Sequence, residues 1–187
     1  MRIISGTSGG RRLITPKKDI LRPTSDRVKE SLFNILGREV EGTVVLDLFA
    51  GTGNLGIEAL SRGARKAVFV EKSRDALKLI QRNLSICQME HRSEVLLKEV
   101  DQAIPILRRQ GACFDLILMD PPYEKGLIEK TLKRLETETI YHDDSILVIE
   151  HHRREPLPAR SGGWNLIRQR RMGDTLISIL KPIHLGS

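Results

Sequence analysis

From residue 43 onward, short apolar runs alternate with segments of helical period, a pattern that restricts the chain to a parallel sheet covered by helices. The runs are Thr43 to Leu48, Ala67 to Glu71, Glu94 to Leu97, Phe114 to Met119 and Ser145 to Ile149. Between them, Leu77, Ile80 and Leu84 fall on one helical stripe, and Leu127, Ile128, Leu132 and Leu135 on another. After Glu150 the helices stop: Trp164 to Arg168 and Thr175 to Leu180 read as two strands turned by Met172-Gly173-Asp174. The expected fold is α/β, a mostly parallel seven-stranded sheet with a C-terminal antiparallel hairpin.

With 187 residues, 40% of them hydrophobic, the chain can bury one sizeable core, so residues 1–187 are expected to form a single domain. Its first 21 residues differ in character. Gly6, Gly9 and Gly10 stand beside Arg2, Arg11 and Arg12, as in a basic hairpin arm suited to phosphates. Arg22-Pro23-Thr24-Ser25-Asp26 then leads into Val28, Leu32, Ile35 and Leu36, where Thr24 or Ser25 can cap an amphipathic helix that Gly37 ends. Lys and Arg number 31 against 24 acids, a net charge of +7, which favours a polyanionic partner but equally suits a plainly solvated surface. No run is long enough for a signal-peptide core or a membrane span, so a cytoplasmic protein without membrane contact is expected. Cys87 and Cys113 suit neither a metal cluster nor a disulfide framework. No metal site is expected.

Asp47-Leu48-Phe49-Ala50-Gly51-Thr52-Gly53-Asn54-Leu55-Gly56 follows a strand and opens a helix, so its glycines let a ligand approach the backbone at a helix N-terminus. Gly51, Gly53 and Gly56 spell G-x-G-x-x-G, which serves a dinucleotide as well as S-adenosylmethionine. Asp47 discriminates. A carboxylate there suits the ammonium of a methionine moiety and repels a pyrophosphate. Glu71, ending the next strand, can accept both ribose hydroxyls of either cofactor, and Glu99, after the third strand, can reach an adenine amino group or be an ordinary loop acid. Without a ligand, the same residues describe a tight strand-to-helix turn flanked by solvated acids.

The strand Phe114 to Met119 delivers Asp120-Pro121-Pro122-Tyr123 to the carboxyl edge of the sheet, where open α/β folds bind ligands. Asp and Pro also terminate strands for purely structural reasons. The chemistry they fit, however, is specific. An exocyclic base amine is a poor nucleophile because its lone pair is delocalised into the ring; acceptors for both its hydrogens restore tetrahedral character at nitrogen. Asp120 and the Pro121 carbonyl are such acceptors, and two prolines hold them rigidly without a competing N–H. Tyr123 offers a stacking face for a base turned out of its helix.

Together, Arg22-Pro23-Thr24 to Leu36, Asp47 through Ala64 with Glu58-Ala59-Leu60-Ser61-Arg62-Gly63-Ala64, and Asp120 to Tyr123 resemble the RsmD family of 16S ribosomal RNA guanine-N2 methyltransferases over nearly the whole chain. The resemblance implies the class I, Rossmann-like, S-adenosylmethionine-dependent methyltransferase fold. It also implies 16S ribosomal RNA, the small ribosomal subunit or an assembly intermediate as partner of a monomeric enzyme. Carried over by motif, Asp47, Phe49, Gly51 and Gly53 line the cofactor, Glu71 holds its ribose, Thr24 covers the methionine end, and Asp120, Pro121, Pro122 and Tyr123 grip the guanine. Arg2, Arg11, Arg12, Arg22, Arg170 and Arg171 are the candidate RNA contacts, with Arg168 beside them. One departure from the family pattern is Met172, where tyrosine is usual before Gly173.

An adenine-N6 DNA methyltransferase would use the same tetrapeptide, but the chain leaves no room for a separate target-recognition domain. A protein-glutamine methyltransferase poses the same lone-pair problem, yet leaves the basic arm without a role. A non-catalytic nucleic-acid-binding protein would explain the charge and not residues 120 to 123. A nicotinamide-dependent oxidoreductase would explain Gly51 to Gly56 and Glu71 and little else.

Overall fold

The computed structural model describes residues 1–16, 26–123, 125–161 and 163–183. The five apolar runs are parallel strands: β1 (Val44–Asp47), β2 (Lys66–Glu71), β3 (Ser93–Leu97), β4 (Phe114–Met119) and β5 (Tyr141–His152). Three antiparallel strands follow, β6 (Arg160–Ser161), β7 (Trp164–Met172) and β8 (Thr175–Pro182), in one sheet of order β3-β2-β1-β4-β5-β8-β7-β6. Among the described residues the sheet therefore has eight strands, not seven. The extra one, β6, is a two-residue edge pairing Arg160 with Asn165 and Ser161 with Trp164, too short to leave a pattern in the sequence.

Among the described residues five α-helices cover the sheet: α1 (Asp26–Leu36), α2 (Asn54–Ser61), α3 (Arg74–Cys87), α4 (Val100–Arg109) and α5 (Leu127–Thr137). The helix α4 forms despite Pro105, since Ala103, Ile104 and Leu107 make a buried stripe that tertiary packing rewards. No helix among the described residues is long and apolar enough to cross a membrane.

Because side chains alternate across a strand, the sheet sorts its residues into two cores. Val45, Leu116, Leu118, Ile146, Val148, Ile177 and Ile179 pack under α1, α2 and α3, through residues such as Leu32, Phe33, Leu60 and Ile80. On the other face, Leu46, Ile117, Met119, Leu147, Ile149 and Leu180 meet α4 and α5 through Ile104, Leu107, Leu132 and Leu135. Each such side chain contributes about 1.5–3 kcal/mol when fully buried.

Strand β1 pairs with β2 on one side and β4 on the other, so the crossovers diverge from it and open a crevice at its carboxyl end. The N-terminal hairpin is present, with Ile3 N–H on the Arg11 carbonyl at 2.9 Å and Gly10 N–H on the Ile3 carbonyl at 2.8 Å. It lies against α2 and does not project as a free arm: the Glu58 carboxylate accepts Ile4 N–H at 2.8 Å and Ser5 N–H at 3.1 Å. Gly6 makes that docking possible, since a Cβ there would stand 1.8 Å from the Ser61 carbonyl oxygen.

Candidate active site

At the end of β1 the chain turns through Gly51 and Gly53, with φ of +56° and +81°, and enters α2 at Asn54. Both values lie in the left-handed region that side chains disfavour, so the backbone stays bare here. Five polar contacts fix the loop and anchor it to its neighbours. Asp47 Oδ2 accepts Gly56 N–H at 3.0 Å, Glu71 Oε2 accepts Gly51 N–H at 2.8 Å, and Glu71 Oε1 accepts Ser73 N–H at 2.8 Å. From α3, Asn83 Nδ2 donates to the Thr52 carbonyl at 2.9 Å and to the Ile14 carbonyl at 3.1 Å, tying the loop to the N-terminal segment. Gly56 serves packing: a Cβ there would be 2.3 Å from Phe69 Cε1, so only glycine lets α2 lie this close to β2.

The Asp47 carboxyl is 1% exposed, and burial pushes its pKa up to about 7 against the lowering effect of the Gly56 hydrogen bond. The negative charges of Asp120 and Glu71 raise it further. Three carboxyl groups from β1, β2 and the end of β4 thus share one patch beside the glycine loop. Asp47 and Glu71, flanking the glycine loop, favour a cation and disfavour a pyrophosphate, as expected for the sulfonium and ammonium of S-adenosylmethionine, while Asp120 stands beside them at the end of β4.

Register carries β4 into the same place. Asp47 pairs with Leu118, two residues before Asp120, and Met119 pairs with Ile149 on β5. Pro121 is buried and Pro122 exposed, while the Tyr123 ring lies against His152 at the end of β5, with centroids 5.5 Å apart and tilted by 45°.

Of the residues expected at a site, the structure gathers Asp47, Gly51, Gly53, Glu71, Asp120 and Tyr123 along the carboxyl edge of β1, β2 and β4. The Phe49 side chain is half-buried and packs against the core under α4 and α5. Glu99 stands at the start of α4, exposed, with Lys72 Nζ 3.8 Å away, near the end of neighbouring β2. Thr24 and Arg22 lie outside the described residues, as does the expected helix cap at Thr24 or Ser25. Arg2 is 3.5 Å from Asp26, Arg11 donates to the Ile86 carbonyl, and Arg12 is exposed. The β7 arginines divide by alternation: Arg168 and Arg170 pair with Ile179 and Ile177 on the α1 face, whereas Arg171 points to the other face and donates to the Gly173 carbonyl at 2.9 Å.

Residues not anticipated as partners form a buried network behind the loop. Lys29, wholly buried, donates to the Arg2 carbonyl and Asn54 Oδ1, each at 2.6 Å, and lies 3.3 Å from Glu58 Oε2. Burial lowers its pKa and the Glu58 charge opposes that. Arg62 adds Nε to Glu58 Oε1 at 2.7 Å and places its guanidinium 5.0 Å from the Phe33 ring centre. Also unanticipated are Glu150, 4% exposed, and His151, fully buried, its pKa lowered by burial and its Nε2 2.8 Å from Ser178 Oγ. The apolar run ends at Ile149, but β5 continues to His152 because β8 pairs with it that far.

A family model described as "Conserved hypothetical protein 95" matches residues 1–181. The chain is 35% identical to "Putative rRNA methyltransferase YlbH" of Bacillus subtilis (strain 168), over 97% of this chain and 98% of that protein. It is equally 35% identical to "Ribosomal RNA small subunit methyltransferase D" of Escherichia coli (strain K12), over 92% of this chain and 85% of the relative. Among solved structures, "Putative methyltransferase yhhF from Escherichia coli" superposes with a TM-score of 0.85 at 32% identity, covering 97% of both chains. The fold is that of the class I methyltransferases. By the extent of the model match and the identity of relatives matched over nearly its whole length, the chain belongs to the conserved hypothetical protein 95 family, the RsmD family that its motifs resemble.

Proposed function

We propose that this chain is a methyltransferase acting on the exocyclic N2 amine of a guanine in 16S ribosomal RNA, with S-adenosylmethionine as donor. The observation that carries the reading is the placement of Asp120 beside the cationic-ligand patch of Asp47 and Glu71, on the strand next to the glycine loop. Relatives named as ribosomal RNA methyltransferases, matched over nearly the full chain, support it. Bound at the loop, S-adenosylmethionine supplies an electrophilic methyl carbon on a sulfonium. Asp47, Gly51, Gly53 and Glu71 shape its seat, with Phe49, Glu99 and Thr24 as further candidate contacts.

Asp120 and the Pro121 carbonyl accept the two hydrogens of the target amine, localising its lone pair toward the donor. On taking the methyl the amine nitrogen would shed one proton, and Asp120 would be the group placed to accept it. Tyr123 stacks the extruded base and Pro122 stiffens the turn. Positioning and the strengthening of these two acceptor bonds supply most of the rate. Phosphates are met by exposed Arg2, Arg12 and Arg170, with Arg11, Arg22 and Arg171 as further contacts. Binding therefore weakens as salt rises. The protein acts as one domain and a monomer in the cytoplasm, on free ribosomal RNA or an assembling small subunit.

The test supplies labelled S-adenosylmethionine with small ribosomal particles, naked ribosomal RNA and DNA, then maps the modified nucleoside. N2-methylguanosine at one position in RNA is expected. Label in N6-methyladenine, or no retention of the donor, overturns the reading.

A further inference from the structure

We infer that Glu150 is the residue that identifies the target base as guanine, by accepting the N1–H that lies beside the reacting N2 amine. The inference deepens the methyl-transfer reading above and rests on it. Three observations place the residue. The Met119–Ile149 register, the last pair of β4 with β5, brings Asp120, one residue past β4, to the same edge as Glu150, still on β5. Glu150 projects from the α1 face, in alternation with Val148 and paired to Ile177 there, and the Asp120 charge reaches Asp47, which alternates with Val45 onto the same face. Beyond them, Tyr123 and His152 meet across the same pair of strands, so a stacking surface and two carboxyl groups share one edge.

The chemistry of that edge selects among bases. With the donor seated over β1 and β2, the amine it meets lies over β4 and the rest of the base over β5. Guanine presents N1–H and the N2 amine side by side, two donors for two carboxylates in a row. Adenine offers a bare N1 acceptor next to its amine, and a carboxylate facing it meets lone pair against lone pair. At 4% exposure Glu150 is shielded from competing water, the condition under which a missing hydrogen bond discriminates most. Arg170, across β8 and paired to the same Ile177 as Glu150, extends the row with a cation exposed for a phosphate.

The experiment compares RNA carrying guanine at the target with RNA carrying 2-aminopurine there, which keeps the 2-amino group and replaces N1–H by a bare acceptor. For the wild-type protein, kcat/KM should favour guanine by on the order of 100-fold or more. In Glu150→Gln the carboxamide can turn its N–H toward N1, so the preference should fall to within about tenfold. Glu150→Asp should keep the preference at a lower rate. Donor affinity, measured alongside, should stay unchanged in both. A wild-type protein indifferent to N1–H overturns the inference whatever the variants do. So does a Glu150→Gln protein that loses rate equally on both substrates, the signature of a purely structural carboxylate. If the wild-type protein modifies no guanine at all, the methyl-transfer reading itself fails, an outcome separate from an unchanged ratio.

Discussion

Glu71 Oε2 holds the Gly51 N–H at 2.8 Å, so the end of β2 sets the shape of the loop that follows β1. The same carboxylate fixes the start of α3 through Ser73 N–H at 2.8 Å. Hydrogen bonds to a charged group contribute about 1.5–3 kcal/mol. Glu71→Ala should therefore weaken donor binding about 10- to 100-fold by calorimetry. Glu71→Gln, which keeps one acceptor, should fall between. Unchanged affinity in Glu71→Ala would remove the residue from the site.

Asp47 should make donor binding pH-dependent. Its carboxyl titrates at about 7 when folded against an ordinary 3.8, chiefly through burial, with the Asp120 and Glu71 charges adding to it. Between those values the unfolded chain has lost the proton and the folded chain keeps it, so stability falls as pH rises from 3.8 to about 7 and is level above. A cationic ligand favours the ionised form, so affinity for the donor should rise through pH 7, with proton release visible as a buffer-dependent binding enthalpy. Asp47→Asn should flatten that profile. A profile already flat in the wild-type protein would contradict the assignment.

Gly56→Ala should destabilise the fold by about 1–3 kcal/mol in urea, as overpacking does. The added methyl would meet Phe69 at 2.3 Å from Cε1 and 2.8 Å from Cζ. Combining it with Phe69→Leu should recover part of that loss, giving a double mutant more stable than the sum of the two singles. Strict additivity would mean the two residues do not compete for space.

Lys29→Met removes the cation from a wholly buried pair and leaves Glu58 with Arg62 and two backbone donors. A loss of about 1–3 kcal/mol is expected, because the Arg2 carbonyl and Asn54 Oδ1 lose their buried donor while Glu58 keeps one of its two cations. Adding Glu58→Gln should restore a measurable part. The N-terminal hairpin, which Lys29 holds at the Arg2 carbonyl, should become the first site of proteolysis; unchanged cleavage would place the hairpin's anchorage elsewhere.

The sheet and the glycine loop were legible in the sequence because their signals are local: a strand is an apolar run, and Asp47 to Gly56 is a contiguous turn. The less legible parts depend on distant partners. Lys29, Asn54, Glu58 and Asn83 look like polar residues on amphipathic helices until the fold joins Lys29 to Arg2, Asn54 and Glu58, and Asn83 to Ile14 and Thr52. Pro105 masks α4, whose stripe is evident only once the sheet it covers is known. Glu150 and His152 fall past the apolar run of β5 and join the strand only through pairing with Ile177 and Thr175. Arg170 and Arg171, adjacent in sequence, face opposite ways for a reason the alternation of a strand already contains.

Asp120 is the residue on which the chemical reading depends, and a single comparison decides it. Single-turnover methyl transfer and donor affinity are measured side by side for the wild-type protein and Asp120→Ala. Transfer should slow by about 100- to 1,000-fold while donor affinity stays within about threefold, the mark of an acceptor engaged mainly as nitrogen becomes tetrahedral. Undiminished transfer in Asp120→Ala, or a matching loss of donor affinity, would contradict it.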